Sequence, residues 1–400
     1  MKIVYVSENF PPNTFGGGEL SGYTLAKYLA SDPKFEVHVV TKALNGKESH
    51  ENVDNIHNHR VIQEGSMKLP DDIRRGEILT HNTTKHLKPY LKDANLVHTL
   101  SMRVTIGAYK AARREKLPII ATVNDTWATC YYSLHFKKDD ICWNCSMREL
   151  KDCLEQFGGN KLVLPYLIRN MKTRAKTLKK FDCLLPRSKL IEKILRKNGF
   201  SNRMEIFPPI IDIEKYQYKE PIYKNQILYV GRLDRGKGVE DAILALKHSK
   251  KGKLAIVGNG PYKKYFEGLA LKHELGNRVI FKGKFTEDEV IQEIHNSDLI
   301  LAPFRRIEPM PRIIPESFAC GRGIITTNCC GGNELIINDE NGFTVSVGAI
   351  PEIGKLIDRI LGDKKLVKSL GMKGRKCMEK ELHPDKIIED YKIIIQELVN

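Results

Sequence analysis

Glu308 and Glu316 stand with seven residues between them in the stretch "RRIEPMPRIIPESFACG". Each carboxylate can accept two hydroxyls at once, so ribose and sugar diols are natural partners. The prolines between them stiffen the loop, and Pro315 suits the first turn of a helix. Upstream, "YVGRLDRGKGV" puts Arg232 and Lys237 on a loop after an apolar run, with Lys237 at the start of the next helix. Two cations there would neutralise a diphosphate as it leaves. Gly258 and Gly260 in "VGNGP" permit close backbone approach, and Gly16 and Gly17 sit in the loop between the first strand and a helix. Backbone amides at such a helix start favour a phosphate. The spacing there is GGGE, so the dinucleotide fingerprint GxGxxG is not met. The plain alternatives are solvated surface charges for the acids and cations, and flexible turns for the glycines.

Cysteine offers another chemistry. Cys130, Cys142, Cys145 and Cys153 fall within 24 residues and include one C-x2-C pair. Four thiolates suit a structural zinc ion, with an iron–sulfur cluster as the weaker alternative and unrelated thiols as the plain one. Cys183, Cys320, Cys329, Cys330 and Cys377 read as small core or loop residues.

These groups need a scaffold, and the sequence supplies one twice. "KIVYV", "EVHVVT", "NLVHTL", "PIIATV" and "FDCLLP" are apolar runs of strand length, separated by segments of helical periodicity. This rhythm predicts a doubly wound parallel sheet. A second alternation begins at "QILYVGRL" and runs through "KLAIVG", "RVIFKG", "DLILAPF", "GIITT" and "GFTVSV". "TEDE" opens one of its helices with a capping box. Residues 208–225 carry three prolines and read as a linker. The expected domains are therefore 1–207, with a cysteine-bearing insertion at about 126–160, and 226–383. A helix over 384–400 ends the chain. Two such domains would face a central cleft, with strand ends lining it.

The 400 residues carry a net charge of +16. Residues 161–197 hold twelve Lys or Arg and two acids, so the charge is concentrated. The basic amphipathic segment 161–180 would lie on an anionic membrane face or present a solvated basic face. No nucleic-acid motif accompanies the charge, and a nucleic-acid partner is not expected. No run is long enough to span a membrane. The N-terminus is too short in apolar character for a secretory signal, so a cytoplasmic chain is expected.

Taken in order, "PPNTFGGGE", "GRLDRGKG", "VGNGP", the Glu308/Glu316 pair and "GGNELI" (331–336) resemble a retaining family 4 glycosyltransferase of the GT-B fold. The resemblance runs from the first strand to residue 345. It implies that Gly16 and Gly17 face the donor diphosphate and that Arg232 and Lys237 hold it. Glu308 would hold sugar hydroxyls, aided by the backbone of Met310, Pro311 and Arg312, where Met310 and Arg312 carry the amide donors. Glu316 would bind the ribose, and Lys284 and Phe285 would lie beside the base. The acceptor, a glycan or lipid-linked molecule, would sit near Asn124 and Asp125, with the cysteine insertion as its lid. A role in cell-envelope polysaccharide or glycolipid synthesis would follow. The C-terminal helix would cross back to the first domain. No catalytic metal or cofactor is implied, because the leaving phosphate can take the acceptor's proton.

Three positions depart from that family. Asn124 replaces a histidine, and an asparagine cannot exchange a proton near neutral pH. Pro209-Ile210 stands where an Asn-Gly turn is common, and "EPMPR" replaces a glycine-containing loop. Rival readings are a nucleotide-sugar epimerase or phosphorylase on the same fold, and a non-catalytic sugar- or nucleic-acid-binding module.

Overall fold

The computed structural model describes residues 1–12, 16–63, 71–133, 135–137, 140–143, 145–156 and 161–400. They form two compact units. One comprises Met1–His135, Trp143–Ile210 and Pro384–Asn400; the other comprises Phe136–Cys142 and Ile211–His383.

The first unit is built on an eight-stranded sheet. In chain order its strands are β1 (Lys2–Val6), β2 (Glu36–Lys42), β3 (Ser49–Val53), β4 (Ile56–Ile62), β5 (Leu96–Thr99) and β6 (Ile119–Val123). β7 (Phe136–Lys137) and β8 (Asp140–Ile141) belong to the second unit and form a separate antiparallel pair, and β9 (Cys183–Pro186) and β10 (Arg203–Met204) complete the first unit's sheet. The spatial order is β10-β9-β6-β5-β1-β2-β4-β3, parallel throughout except for β3 against β4. Parallel strands are covered on both faces, which is why β1, β5 and β6 read as unbroken apolar runs. Ile3, Val4, Tyr5, Leu96, Val97, Ile119 and Ile120 are fully buried. Each such side chain contributes about 1.5–3 kcal/mol relative to exposure. The apolar stretch "RMEIF" forms a strand only at Arg203–Met204, at the sheet edge, where short strands limit unwanted pairing.

The final helix, Pro384–Val399, belongs to this first unit. Its anchor is Tyr391, which is fully buried. The Tyr5 hydroxyl donates to the Tyr391 hydroxyl (3.1 Å), which lies 2.6 Å from His98 Nδ1. His98 Nε2 lies 2.8 Å from Thr122 Oγ1. Burial holds the His98 imidazole neutral, its pKa well below the ordinary value.

The second unit contains a six-stranded parallel sheet: β11 (Gln226–Val230), β12 (Lys253–Val257), β13 (Val279–Gly283), β14 (Leu299–Ala302), β15 (Gly323–Thr327) and β16 (Gly342–Val345). Its order is β13-β12-β11-β14-β15-β16. The capping box at Thr286 and Glu289 is formed as read from the sequence. Residues 208–225 form no helix or strand, but they are not a solvated spacer. Ile211, Ile213 and Tyr216 are buried, because "IIDI" supplies apolar side chains that pack within the second unit. Buried Arg322 holds the next residues by donating to the carbonyls of Lys219 (2.6 Å) and Ser297 (2.6 Å).

Candidate active site

In a doubly wound sheet, ligands gather beyond the carboxyl ends of the strands where the strand order reverses. In the second unit that point lies between β11 and β14, which are adjacent and parallel. The β11 loop carries Arg232 and Lys237, and the β14 loop carries Arg306 and Glu308. The topology thus gathers residues some 70 positions apart in sequence.

Their side chains meet. Lys237 Nζ lies 2.7 Å from Glu308 Oε1, and Arg306 Nε donates to the same oxygen at 2.6 Å. Lys237 also stands over the Phe304 ring, 5.6 Å from its centroid. Burial pushes the Glu308 carboxyl up, but the Lys237 ammonium and Arg306 guanidinium more than reverse this and hold it at about 2. Burial, with Arg306 and Arg232 nearby, lowers the Lys237 pKa against the pull of Glu308. Arg306 was not singled out from the sequence. Its signal is "RRIE": it stands two residues before Glu308 on the same loop. Arg306 Nη1 is buried without a hydrogen-bond partner, a donor available to a ligand or a water.

Arg232 behaves differently. Its side chain is largely exposed and pairs with Asp234 on its own loop. The Glu308 segment is pinned from behind: Gly331 N donates to Glu308 O at 2.7 Å, so the "CCGGNE" stretch buttresses the β14 loop.

The glycines serve a purpose the sequence left open. A Cβ on Gly258, whose φ is +147°, would lie 1.9 Å from Gly231 O, and one on Gly260 would lie 2.3 Å from Leu233 O. The close approach here is by the chain's own β11 loop. Gly238 has φ +78°, and a Cβ would lie 1.8 Å from Pro303 O, so this glycine lets the β11 and β14 loops nest.

Glu316 lies on the helix Ile313–Ala319 and forms a second buried cluster. It accepts from Arg312 Nε (2.8 Å) and from the Tyr216 hydroxyl (3.1 Å). Arg312 also reaches Glu287 at 3.2 Å. Burial disfavours the Arg312 charge, but Glu316 beside it keeps the guanidinium pKa raised. The Arg312 side chain is thus committed to Glu316. Met310 is buried, Pro311 and Phe285 are half-buried, and Lys284 is exposed.

In the first unit Gly16 is the N-cap of the helix Gly17–Ala30 and has extended backbone. Glu19 sits close: its Oε2 would be 3.7 Å from a Cβ on Gly16. Asn124 Nδ2 donates to Leu100 O (2.6 Å) and its Oδ1 accepts from Arg187 Nε (2.7 Å), which fixes the amide plane. Asp125 Oδ1 accepts from Trp127 N at 2.9 Å, and burial raises its carboxyl to about 7. Arg174 stacks over Trp127 and Tyr131 nearby.

Three of the four clustered cysteines, Cys130, Cys145 and Cys153, are in the first unit; Cys142 is in the segment that joins the second. Hydrogen bonding to the Cys130 sulfur, then burial, raises the Cys145 thiol, with Cys153 adding to the effect. In the basic helix Leu164–Leu178, Leu167 packs with Leu150, Leu154 and Tyr131, so part of its apolar face is covered by protein. Arg169, Lys172, Lys176 and Lys180 stay exposed at helical spacing. No described helix is long and apolar enough to cross a membrane.

Two Rossmann-like units, with paired cations and carboxylates at the second sheet's switch point, define the GT-B class of glycosyltransferase folds. The "Glycosyltransferase Family 4" model matches residues 15–215 and the "Glycosyl transferases group 1" model matches residues 211–377, and the chain belongs to glycosyltransferase family 4. An uncharacterized glycosyltransferase of Methanocaldococcus jannaschii is 29% identical over 240 residues, covering 56% of this chain and 60% of that protein. The chain therefore spans about 60% of that relative's length. Among solved structures, sucrose-phosphate synthase from Thermosynechococcus elongatus superposes with a TM-score of 0.79 at 19% identity, over 99% of this chain and 98% of that one. HepE from Anabaena in complex with UDP-glucose gives 0.73 at 16% identity, over 99% and 100%.

Proposed function

We propose that this chain transfers a sugar from a nucleotide-sugar to a hydroxyl of a glycan or lipid-linked acceptor, with the anomeric configuration retained. The observation that carries the reading is the Lys237–Glu308–Arg306 cluster at the switch point of the second unit. In this reading Lys237 has further N–H donors beyond the one it gives Glu308, and these, with Arg232, hold the donor diphosphate. Glu308, kept ionised by its two cations, accepts from sugar hydroxyls, and Glu316 accepts from the ribose. As the bond between the anomeric carbon and the phosphate oxygen breaks, negative charge grows on the phosphate beside Lys237. Fixed cations stabilise that charge more than they stabilise the ground state. The acceptor oxygen bonds to the same carbon from the face the phosphate leaves, and its proton passes to the departing phosphate. This route needs no side-chain base and no metal.

The test is a thermal-shift and turnover panel of nucleotide-sugars, begun with UDP-sugars because HepE carries UDP-glucose. A ligand that binds only the folded state raises the melting point by mass action. One nucleotide family should shift it, the shift should be lost in Lys237→Ala, and the product should keep the donor's configuration by NMR. Absence of any shift across the panel would overturn the reading.

Two subordinate parts belong to the same proposal. Cys130, Cys145 and Cys153 supply three of the four thiolates, with Cys142 the fourth, that the sequence offers a structural zinc ion. A cation beside them would offset the hydrogen bonding and burial that raise Cys145. Zinc content should fall in Cys145→Ser. The exposed row Arg169, Lys172, Lys176 and Lys180 makes electrostatic contact with an anionic membrane face. Co-sedimentation with phosphatidylserine vesicles should weaken when the row is changed to glutamine.

A further inference from the structure

The edge of the first unit's sheet carries a chemistry unrelated to sugar transfer. Glu36 and His38 alternate with Val37 and Val39 on β2, and His57 and His59 alternate with Asn58 and Arg60 on β4. A strand sends successive side chains to opposite faces. Val37, Val39, Asn58 and Arg60 are the buried set. The parallel register puts His38 beside His57, and antiparallel β3 puts His50 opposite His59. One face therefore collects a carboxylate and four imidazoles from three strands.

Their geometry is close and ordered. The ligand atoms of Glu36, His38 and His57 all lie within 4.8 Å of one another. His38 and His57 stack with centroids 4.7 Å apart. His38 Nε2 lies 2.6 Å from Glu36 Oε1, while His38 Nδ1 lies 2.9 Å from His59 Nε2. His59 Nδ1 lies 3.0 Å from His50 Nδ1, and the Tyr90 ring stacks on His59 at 4.3 Å.

We propose that Glu36, His38 and His57 form a binding site for a divalent transition-metal ion of the zinc, cobalt or nickel type. Two imidazoles and one carboxylate are donors that favour such ions over calcium or magnesium. The ion takes the lone pair of His38 Nε2, so the His38 proton resides on Nδ1 and is donated to His59 Nε2. His59 in turn carries its proton on Nδ1 and donates to His50 Nδ1. No proton is lost, and the hydrogen-bonded row simply points away from the ion. A partner on the far ring nitrogen is what orients a metal-bound histidine. Ligand atoms around such an ion stand roughly 3–3.5 Å apart. Glu36 is exposed and can withdraw from its 2.6 Å contact with His38 to that separation. Because Glu36 and His38 lie on β2 and His57 on β4, the ion staples the two strands together.

The experiment uses the full, untagged chain, stripped with chelator and titrated with Co²⁺ under visible spectroscopy. A nitrogen and oxygen site gives ligand-field bands without the intense thiolate-to-cobalt charge-transfer band that cysteine ligands produce. The expected result is one equivalent of Co²⁺ whose ligand-field bands appear without the thiolate band, apart from any Co²⁺ that the cysteines of the insertion take up. Its affinity should be at least tenfold weaker in His57→Gln and in Glu36→Gln. Glu36 is exposed, so its variant cannot fail merely by unfolding. Unchanged affinity in both variants, or uptake signalled only by the thiolate band, would overturn the proposal.

Discussion

Lys237 Nζ and Glu308 Oε1 stand 2.7 Å apart in a buried setting, and Arg306 Nε meets the same oxygen at 2.6 Å. One acid thus pairs with two cations, which leaves the trio one net positive charge, and the cluster is structural as well as functional. Glu308→Ala leaves Lys237 and Arg306 side by side without their counter-charge. Breaking a buried ion pair in this way costs about 3–5 kcal/mol, so denaturant unfolding should show a clear fall in stability. Glu308→Gln keeps an acceptor oxygen and should be milder. Both should lower turnover by a factor of about 10² or more.

The same cluster sets an acid limit. The Glu308 carboxyl titrates at about 2 in the folded chain and near 4.3 unfolded. A depressed folded value gives stability that is complete above the unfolded value and is lost as pH falls towards 2. The stability gap between the parent and Glu308→Gln should therefore be constant from pH 6 to 8. It should close by about 3 kcal/mol between pH 5 and 2. A gap independent of pH would remove the ion pair from the account.

Asp125 has the opposite sign. Burial raises its folded carboxyl to about 7, against about 3.9 unfolded. Its contribution is present below pH 4 and is lost as pH rises through 7. Asp125→Asn keeps an oxygen for the Trp127 amide, which now donates to Asp125 at 2.9 Å. That variant should gain on the parent between pH 4 and 7 and stay ahead above it. The upper bound is about 4 kcal/mol, less the screening of a half-buried group. Melting points across that range would measure it.

Most of the scaffold was legible because parallel strands covered on both faces announce themselves as apolar runs. Arg232, Lys237, Glu308 and Glu316 could be picked out because each follows such a strand. What the sequence hid was side-chain pairing. Arg306 is one cation among many until the β14 loop turns it onto Glu308. Arg312 looks like a surface charge until its helix brings it to Glu316. The β3–β4 hairpin was also missed. Its signal is "VDNI", where Asp54 and Asn55 both take positive φ (53° and 60°), as a tight two-residue hairpin turn requires. Its strands carry polar residues on their exposed face, so no apolar run marks them, and with the hairpin went the histidine cluster.

The glycine loops make a sharper prediction than their sequence did. Gly258→Ala and Gly238→Ala each place a methyl group within 2 Å of a backbone carbonyl, at a positive φ. Neither loop can yield without moving the other, so each variant should lose about 2 kcal/mol or more. Donor-induced thermal shift should weaken along with it. Gly268 is the control: it lies inside the helix Lys263–Lys272, and a Cβ there meets nothing within 4 Å. Gly268→Ala should stabilise by about 0.5–1 kcal/mol. Equal effects at all three positions, read by urea unfolding, would show that the loop contacts do not matter.

Tyr391 is the point where the last helix commits to the first unit. Its hydroxyl accepts from Tyr5 at 3.1 Å and lies 2.6 Å from His98 Nδ1, with all three residues fully buried. Tyr391→Phe conserves the ring and removes only the hydroxyl. The His98 nitrogen then faces no donor in a site closed to water, and an unsatisfied buried group of this kind costs about 1–3 kcal/mol. Tyr391→Ala adds a cavity, for which a buried aromatic typically costs about 3–5 kcal/mol in all. Both variants should unfold at lower urea concentration, in that order. Hydrogen exchange should accelerate in Pro384–Val399 and in β1 and β5, the strands of Tyr5 and His98, while β11 and β14 keep their protection. If exchange rose only in the terminal helix, its attachment would not stabilise the sheet beneath it.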